Sequence, residues 1–228
     1  MLKNAFSRFF AANPGWLHAA AHSHHPWPDV ALAAHTAYAV DSVTRADRKW
    51  DIVFGEVVPE AQRHIARLIG LTGEAADGRS IAFAPNTGEF VARIYSCFDR
   101  SRPVRVLTSA SEFHSFGRMT RRLEEAGGVV VTRIAAEPHA TFNARFMAAA
   151  RGGCFDLVFL SHVFFDSGAV VQGLGDIVAA CGDGPIVVID GYHAFMALPV
   201  DVAAIQARAF YLAGGYKYAM AGEGACWL

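Results

Sequence analysis

The 228-residue sequence contains no apolar run that reaches the roughly eighteen residues of a membrane span. Its opening stretch, Met1 to Phe10, has no signal-peptide core, and the expectation is a cytoplasmic protein with no membrane partner. Basic runs are also missing beyond Thr120-Arg121-Arg122, and with a net charge of −1 there is no electrostatic footprint for nucleic acid. The four cysteines, Cys97, Cys154, Cys181 and Cys226, are scattered, form no C-x-x-C and sit in apolar segments. That pattern argues against disulfides and metal ligation and predicts buried free thiols. Neither G-x-G-x-x-G nor a P-loop follows the first predicted strand, where Gly88 stands alone, so a nucleotide-binding sheet protein is disfavoured. What is present, 53% hydrophobic and 18% charged residues, suits a globular chain able to bury a sizeable core.

Taken in order, residues 2–12 predict a short amphipathic helix stopped by Asn13-Pro14-Gly15. A histidine-rich turn follows, His22-Ser23-His24-His25-Pro26-Trp27-Pro28. With no second ligand cluster near it, this turn reads as pocket-lining imidazoles rather than a zinc site. From Pro28 to about Leu71 the pattern is helical, with a predicted break near Phe54-Gly55. Trp50, Val53, Val57 and Val58, then Ile65, Leu68 and Ile69, form apolar stripes expected to be core. Residues 72–80 predict a loop that divides this amino-terminal arm, 1–71, from an alternating unit over 72–228. In that unit strands are predicted at 81–84, 104–108, 129–134, 156–160, 186–189, 208–213 and 225–228, with helices at 87–98, 115–126, 141–150 and 174–181. The alternation predicts an α/β fold, a mainly parallel seven-stranded sheet covered by helices, with its site at the carboxyl ends of the strands.

Two of those strand ends carry chemistry. Val187-Val188-Ile189 runs into Asp190-Gly191-Tyr192-His193, and Tyr211-Leu212-Ala213 runs into Gly214-Gly215-Tyr216-Lys217-Tyr218. A lysine and a carboxylate at neighbouring strand ends suit pyridoxal phosphate, which needs an amine for its Schiff base and an anion beside its ring nitrogen. Taken singly, Asp190 is as readily a loop cap and Lys217 a surface lysine. At the first strand-to-helix turn, Pro85-Asn86-Thr87-Gly88-Glu89 resembles a capping box and offers amide groups and a hydroxyl to a phosphate, or simply caps a helix. Phe113, in Ser111-Glu112-Phe113-His114, is the ring available to stack on a flat cofactor if it does not pack into the core.

These segments, with Ser161-His162-Val163 between them, resemble the ordered motifs of the fold-type I pyridoxal phosphate enzymes. Within that fold they resemble the class V aminotransferase group, which includes kynureninase and the cysteine desulfurases. The resemblance runs from about Leu17 to the last residue and implies that 72–228 is a cofactor-binding large domain. It implies that Lys217 holds the cofactor, Asp190 pairs with the pyridine nitrogen and Phe113 stacks. It further implies that Asn86 and Thr87 bind phosphate, Tyr216 contacts it, and His193 approaches the phenolic oxygen. Tyrosines on both sides of the lysine, and a histidine three after the aspartate, are nearer to kynureninase than to the desulfurases. Phe164-Phe165 replaces the family's asparagine near the phenolic oxygen. Relatives continue into a small carboxyl-terminal domain that carries the substrate-gripping arginine and the desulfurase cysteine, so the sequence is expected to be a piece of a longer enzyme.

The expected catalytic residues are Lys217, Asp190 and His193, with His22, Ser23 and His24 at the distal end of the substrate. The expected protein is a homodimeric, cytoplasmic enzyme acting on an amino acid by kynureninase-like carbon–carbon cleavage. The alternatives are amino transfer to a keto acid and a non-catalytic binding module.

Overall fold

A computed structural model of the chain describes residues 2–228. Eight α-helices and seven strands follow one another in the order the alternation predicts. The strands are β1 (Phe83–Ala84), β2 (Val104–Ser109), β3 (Val129–Ile134), β4 (Leu157–Ser161), β5 (Ile186–Asp190), β6 (Phe210–Gly214) and β7 (Cys226–Trp227). They form one seven-stranded sheet of order β1-β7-β6-β5-β4-β2-β3. All pairings from β3 to β6 are parallel, and β7 lies antiparallel to both β6 and β1. The first strand is shorter than its apolar run, being confined to two residues.

Every residue of β4 is buried, as expected of a central strand covered on both faces. Alternate side chains feed two cores. Leu157, Phe159, Val188 and Leu212 meet α5 (Thr87–Ser96) and α6 (His114–Glu125) on one face. Val158, Leu160, Val187 and Ile189 meet α7 (His139–Gly152) and α8 (Leu174–Ala180) on the other. The Phe116 and Phe159 rings stack with centroids 3.8 Å apart, joining α6 to β4. Each such fully buried apolar side chain contributes about 1.5–3 kcal/mol.

The amino-terminal region is helical where expected, with α1 (Ser7–Ala12), α2 (Asp29–Arg45), α3 (Lys49–Ile52) and α4 (Val58–Leu68), and departs from expectation in two ways. The expected break at Phe54-Gly55 is instead a π turn over Val53–Val57, which widens the helix without ending it. The apolar stripe expected to be core is largely exposed: Trp50 by 44%, Val57 by 54% and Leu68 by 44%. Ala66 and Ile69 at its end join the core, with Ile65 packed against it, whereas α2 and α3 contain no buried residue. The thiols also differ from expectation, with Cys97 and Cys154 exposed and only Cys226 fully buried, all four being free. Cys97 and Cys154 lie just past the last turns of α5 and α7, where the chain emerges from the core.

Among the described residues no helix is long and apolar enough to cross a membrane. Nor is any group of three or more His, Cys, Asp or Glu side chains among them arranged to hold a metal ion.

Candidate active site

The carboxyl ends of β4, β5 and β6 lie side by side, with Ser161 opposite Asp190 and Asp190 opposite Leu212. Outside them opens a cavity of about 570 Å³, a size suited to a small-molecule ligand. Asp190, Lys217, Phe113, Asn86, Thr87, His193, Tyr216 and Ser23 all line it. Residues from five segments of the chain therefore converge on one volume.

Asp190 is 4% exposed, and the one hydrogen bond to its carboxylate among the described residues comes from the Tyr192 backbone N–H to Oδ1 at 2.9 Å. Burial raises its carboxyl to about 6, opposed by that N–H and by the Lys217 charge. The next residue, Gly191, admits the Tyr211 ring, from which a Cβ there would lie only 2.1 Å away. Gly214 likewise makes room for Tyr192. These two glycines let the aspartate leave its strand beneath two packed aromatic rings.

Lys217 stands three residues beyond β6, is 8% exposed, and donates from Nζ to the His22 carbonyl at 2.9 Å. Burial lowers its basicity, with Asp190 opposing. Its Nζ also lies 5.4 Å from the Phe113 ring centroid, within cation–π range. Phe113 itself belongs to neither core and tilts against His193 at 5.5 Å between centroids. Burial, with Lys217 and His22 nearby, depresses the His193 imidazole to about 4, so it is neutral near pH 7.

At the start of α5, Asn86 Oδ1 accepts from the Glu89 N–H at 3.0 Å. The reciprocal half of the expected capping box is absent among the described residues, because Glu89 turns outward to bind Arg93 instead. Thr87 is buried, with its hydroxyl 3.5 Å from the Cys226 thiol. The Thr87 and Gly88 amides are among the first-turn donors that a helix leaves without intrahelical partners, and they open toward anions.

The histidine turn closes the other side of the cavity. His24 Nδ1 is 2.7 Å from the Tyr216 hydroxyl, Ser23 lines the cavity, and the His22 carbonyl meets Lys217. Trp27 anchors the turn by stacking on His35 at 5.0 Å and by packing against Gly222. Further residues complete the site, of which the sequence singles out Phe165 but not Glu223 or Glu112. Phe165 forms cavity wall where the family's asparagine is absent, and Glu223 lines the rim. A buried carboxylate, Glu112, lies beneath Phe113; its position beside Phe113 in the chain was the one available signal.

An aromatic wall, a buried carboxylate with an oxygen to spare and an amine of lowered basicity fit pyridoxal phosphate. Sheet order, helical layers and strand-end site are those of the pyridoxal phosphate-dependent transferase fold. The class V aminotransferase family model matches residues 16–228, and the chain belongs to that family, whose cofactor is pyridoxal phosphate.

Among solved structures the chain is similar to the apo cysteine desulfurase of Thermococcus onnurineus NA1, at 19% identity and a TM-score of 0.70, covering 90% of this chain and 51% of that one. It is similar to a C-DES variant with glycine covalently linked to its pyridoxal phosphate, at 19% identity and a TM-score of 0.74, covering 99% and 58%. It also resembles the Escherichia coli cysteine desulfurase CsdA, at 16% identity and a TM-score of 0.67, covering 97% and 56%. The chain thus spans between half and three-fifths of the structures it matches. No curated protein matches it in sequence.

Proposed function

We propose that this chain is the cofactor-binding part of a pyridoxal phosphate enzyme that acts on an amino acid, with Lys217 as the imine-forming amine and Asp190 as the partner of the ring nitrogen. The observation that carries the reading is the sharing of one cavity by Asp190, Lys217 and Phe113. When bound, the cofactor supplies an electron sink for a bond next to the substrate's amino group. Lys217 Nζ, kept from its usual basicity by burial, holds a lone pair available to take up and return a proton at the substrate α-carbon. Asp190 accepts a cationic N–H donor with the oxygen that Tyr192 leaves unused. Phe113 supplies an apolar face and excludes water from it. Asn86 holds the first turn of α5 so that the Thr87 and Gly88 amides and the Tyr216 side chain can orient a phosphate. His193, neutral, can share a hydrogen bond with a phenolic oxygen.

For the branch of chemistry we favour cleavage in the substrate side chain, of the kynureninase kind, over amino transfer. The support is the His22-Ser23-His24 turn: Ser23 lines the cavity, and the His24 imidazole bonds the hydroxyl of the lining residue Tyr216, from where the turn could meet a side-chain carbonyl. A second reading, release of a sulfur substituent, draws on the similar structures, which include a cysteine desulfurase and a cystine C–S lyase. In either reading the enzyme is a homodimer.

Borohydride reduction of the holoprotein followed by peptide mapping is expected to place the pyridoxyl group on Lys217; a label on Lys3 or Lys49 would defeat the assignment. Incubation with kynurenine, with cysteine, and with an amino donor plus keto acid then separates the branches. An aromatic amine and alanine support side-chain cleavage, sulfide supports the second reading, and keto acid alone leaves amino transfer.

A further inference from the structure

Glu112 is a buried carboxylate for which the proposed chemistry has no use, yet its connections are specific. It sits in the loop between β2 and α6, directly before Phe113. Both of its oxygens are engaged. The Ser109 hydroxyl, at the end of β2, donates to Oε1, and the Ser161 backbone N–H donates to the same oxygen at 3.2 Å. The Ser161 hydroxyl donates to Oε2 at 2.6 Å. Ser161 closes β4 and is the register neighbour of Asp190 on β5. Ser109 in turn accepts from the Ser111 N–H at 3.2 Å, tightening the same loop.

We propose that Glu112 is a positioning residue that staples the Phe113 loop to the end of β4, so that the aromatic wall and Asp190 are held as one unit around the cofactor. The other polar tie of this loop to the sheet runs from the Ala110 N–H to the Ile134 carbonyl at 2.8 Å, three residues before Phe113, so the clamp is the polar contact nearest the ring. A three-donor clamp on a buried acid fixes the backbone immediately before the ring, and a ring's orientation follows its backbone. Keeping an acid buried is costly, as its raised titration to about 7 registers, and a clamp on a functional loop is a use that offsets that cost.

The inference rests on the reading that Phe113 faces the cofactor, and its test separates the two. Pyridoxal 5′-phosphate is the probe, titrated by absorbance into the cofactor-free protein, with the unfolding midpoint measured in parallel. Glu112→Ala is expected to weaken binding about tenfold, the scale of losing a hydrogen-bonded charged group. In Glu112→Gln the amide oxygen still accepts from Ser109 and the Ser161 N–H, while its NH₂ donates to a rotated Ser161 hydroxyl, so binding should stay within about threefold of wild type. The double variant Glu112→Ala/Phe113→Ala should bind no more weakly than Phe113→Ala, because one residue acts through the other. Additive losses, or wild-type binding by Glu112→Ala, would overturn the staple. Wild-type binding by Phe113→Ala would instead overturn the reading of Phe113. Should Glu112→Ala fail to fold, Ser161→Ala removes one donor and leaves the others. A loss of about threefold is then expected, and no loss counts against the proposal.

Discussion

At the scale of single residues the site is a set of groups held away from their ordinary titration by burial. Asp190→Asn retains the shape of the carboxylate and the Tyr192 N–H bond to Oδ1 but cannot hold a cationic ring nitrogen. The variant should keep its fold and still bind pyridoxal phosphate while turnover falls on the order of a hundredfold or more. Steady-state kinetics beside a cofactor absorbance spectrum measure both, and undiminished turnover would remove Asp190 from the role. Glu112 makes a separate prediction for the cofactor-free protein. Its carboxyl titrates at about 7 in the fold against 4.5 in the unfolded chain, so its destabilising effect is absent below the lower value, grows as pH rises from the lower to the higher, and is complete above it. Glu112→Gln should therefore gain stability over wild type as pH rises from about 4.5 to about 7, by roughly 3 kcal/mol, in urea unfolding. His162 and His193, both lowered to about 4 from 6.5, contribute the opposite slope, losing stability as pH falls through 6.5. The single variant is what exposes the acid's share.

At the scale of elements, the turn from His18 to Pro28 is a strap beside the cavity, bonded to Lys217 and Tyr216 through His22 and His24. It is also held by Trp27, which packs on Gly222, a residue with φ of +79° where a Cβ would lie 2.6 Å from the indole. Gly222→Ala combines left-handed strain of about 1–2 kcal/mol with a displaced indole. The expected result is a strap released from Lys217 and Tyr216, seen as faster limited proteolysis before Asp29 and a raised KM with a smaller change in kcat. A variant cleaved no faster than wild type would show that the strap is held elsewhere. The strands and helices from β2 onward were legible in sequence to within a few residues, because each apolar run meets the period of its element. The strap was legible only as a turn, since nothing local in a histidine-rich segment says which distant lysine it will cover.

At the scale of the whole molecule, the amino-terminal helices expose apolar side chains. Val43 is 87% exposed and Phe54 65%, well beyond what scattered surface residues account for, and both lie on the segment whose stripe the sequence marks as core. A second copy of the chain is the expected partner, in keeping with the proposed homodimer. Val43→Asp with Phe54→Asp should shift the protein to monomer in sedimentation velocity without unfolding the sheet; a protein that is monomeric before mutation would refute the expectation.

The sequence by itself determined the alternation of strands and helices, the mainly parallel sheet, and the appearance of Asp190 and Lys217 at strand ends. Each of these follows from local periodicity and from where an apolar run meets a polar residue. Only the tertiary structure decided that the 22–24 turn reaches Lys217 and Tyr216, that Glu112 bridges to Ser161, and that the amino-terminal stripe is left uncovered. A hydrogen bond between residues some two hundred positions apart depends on how the sheet twists and which face each helix covers. An apolar stripe records only that something is to be buried against it.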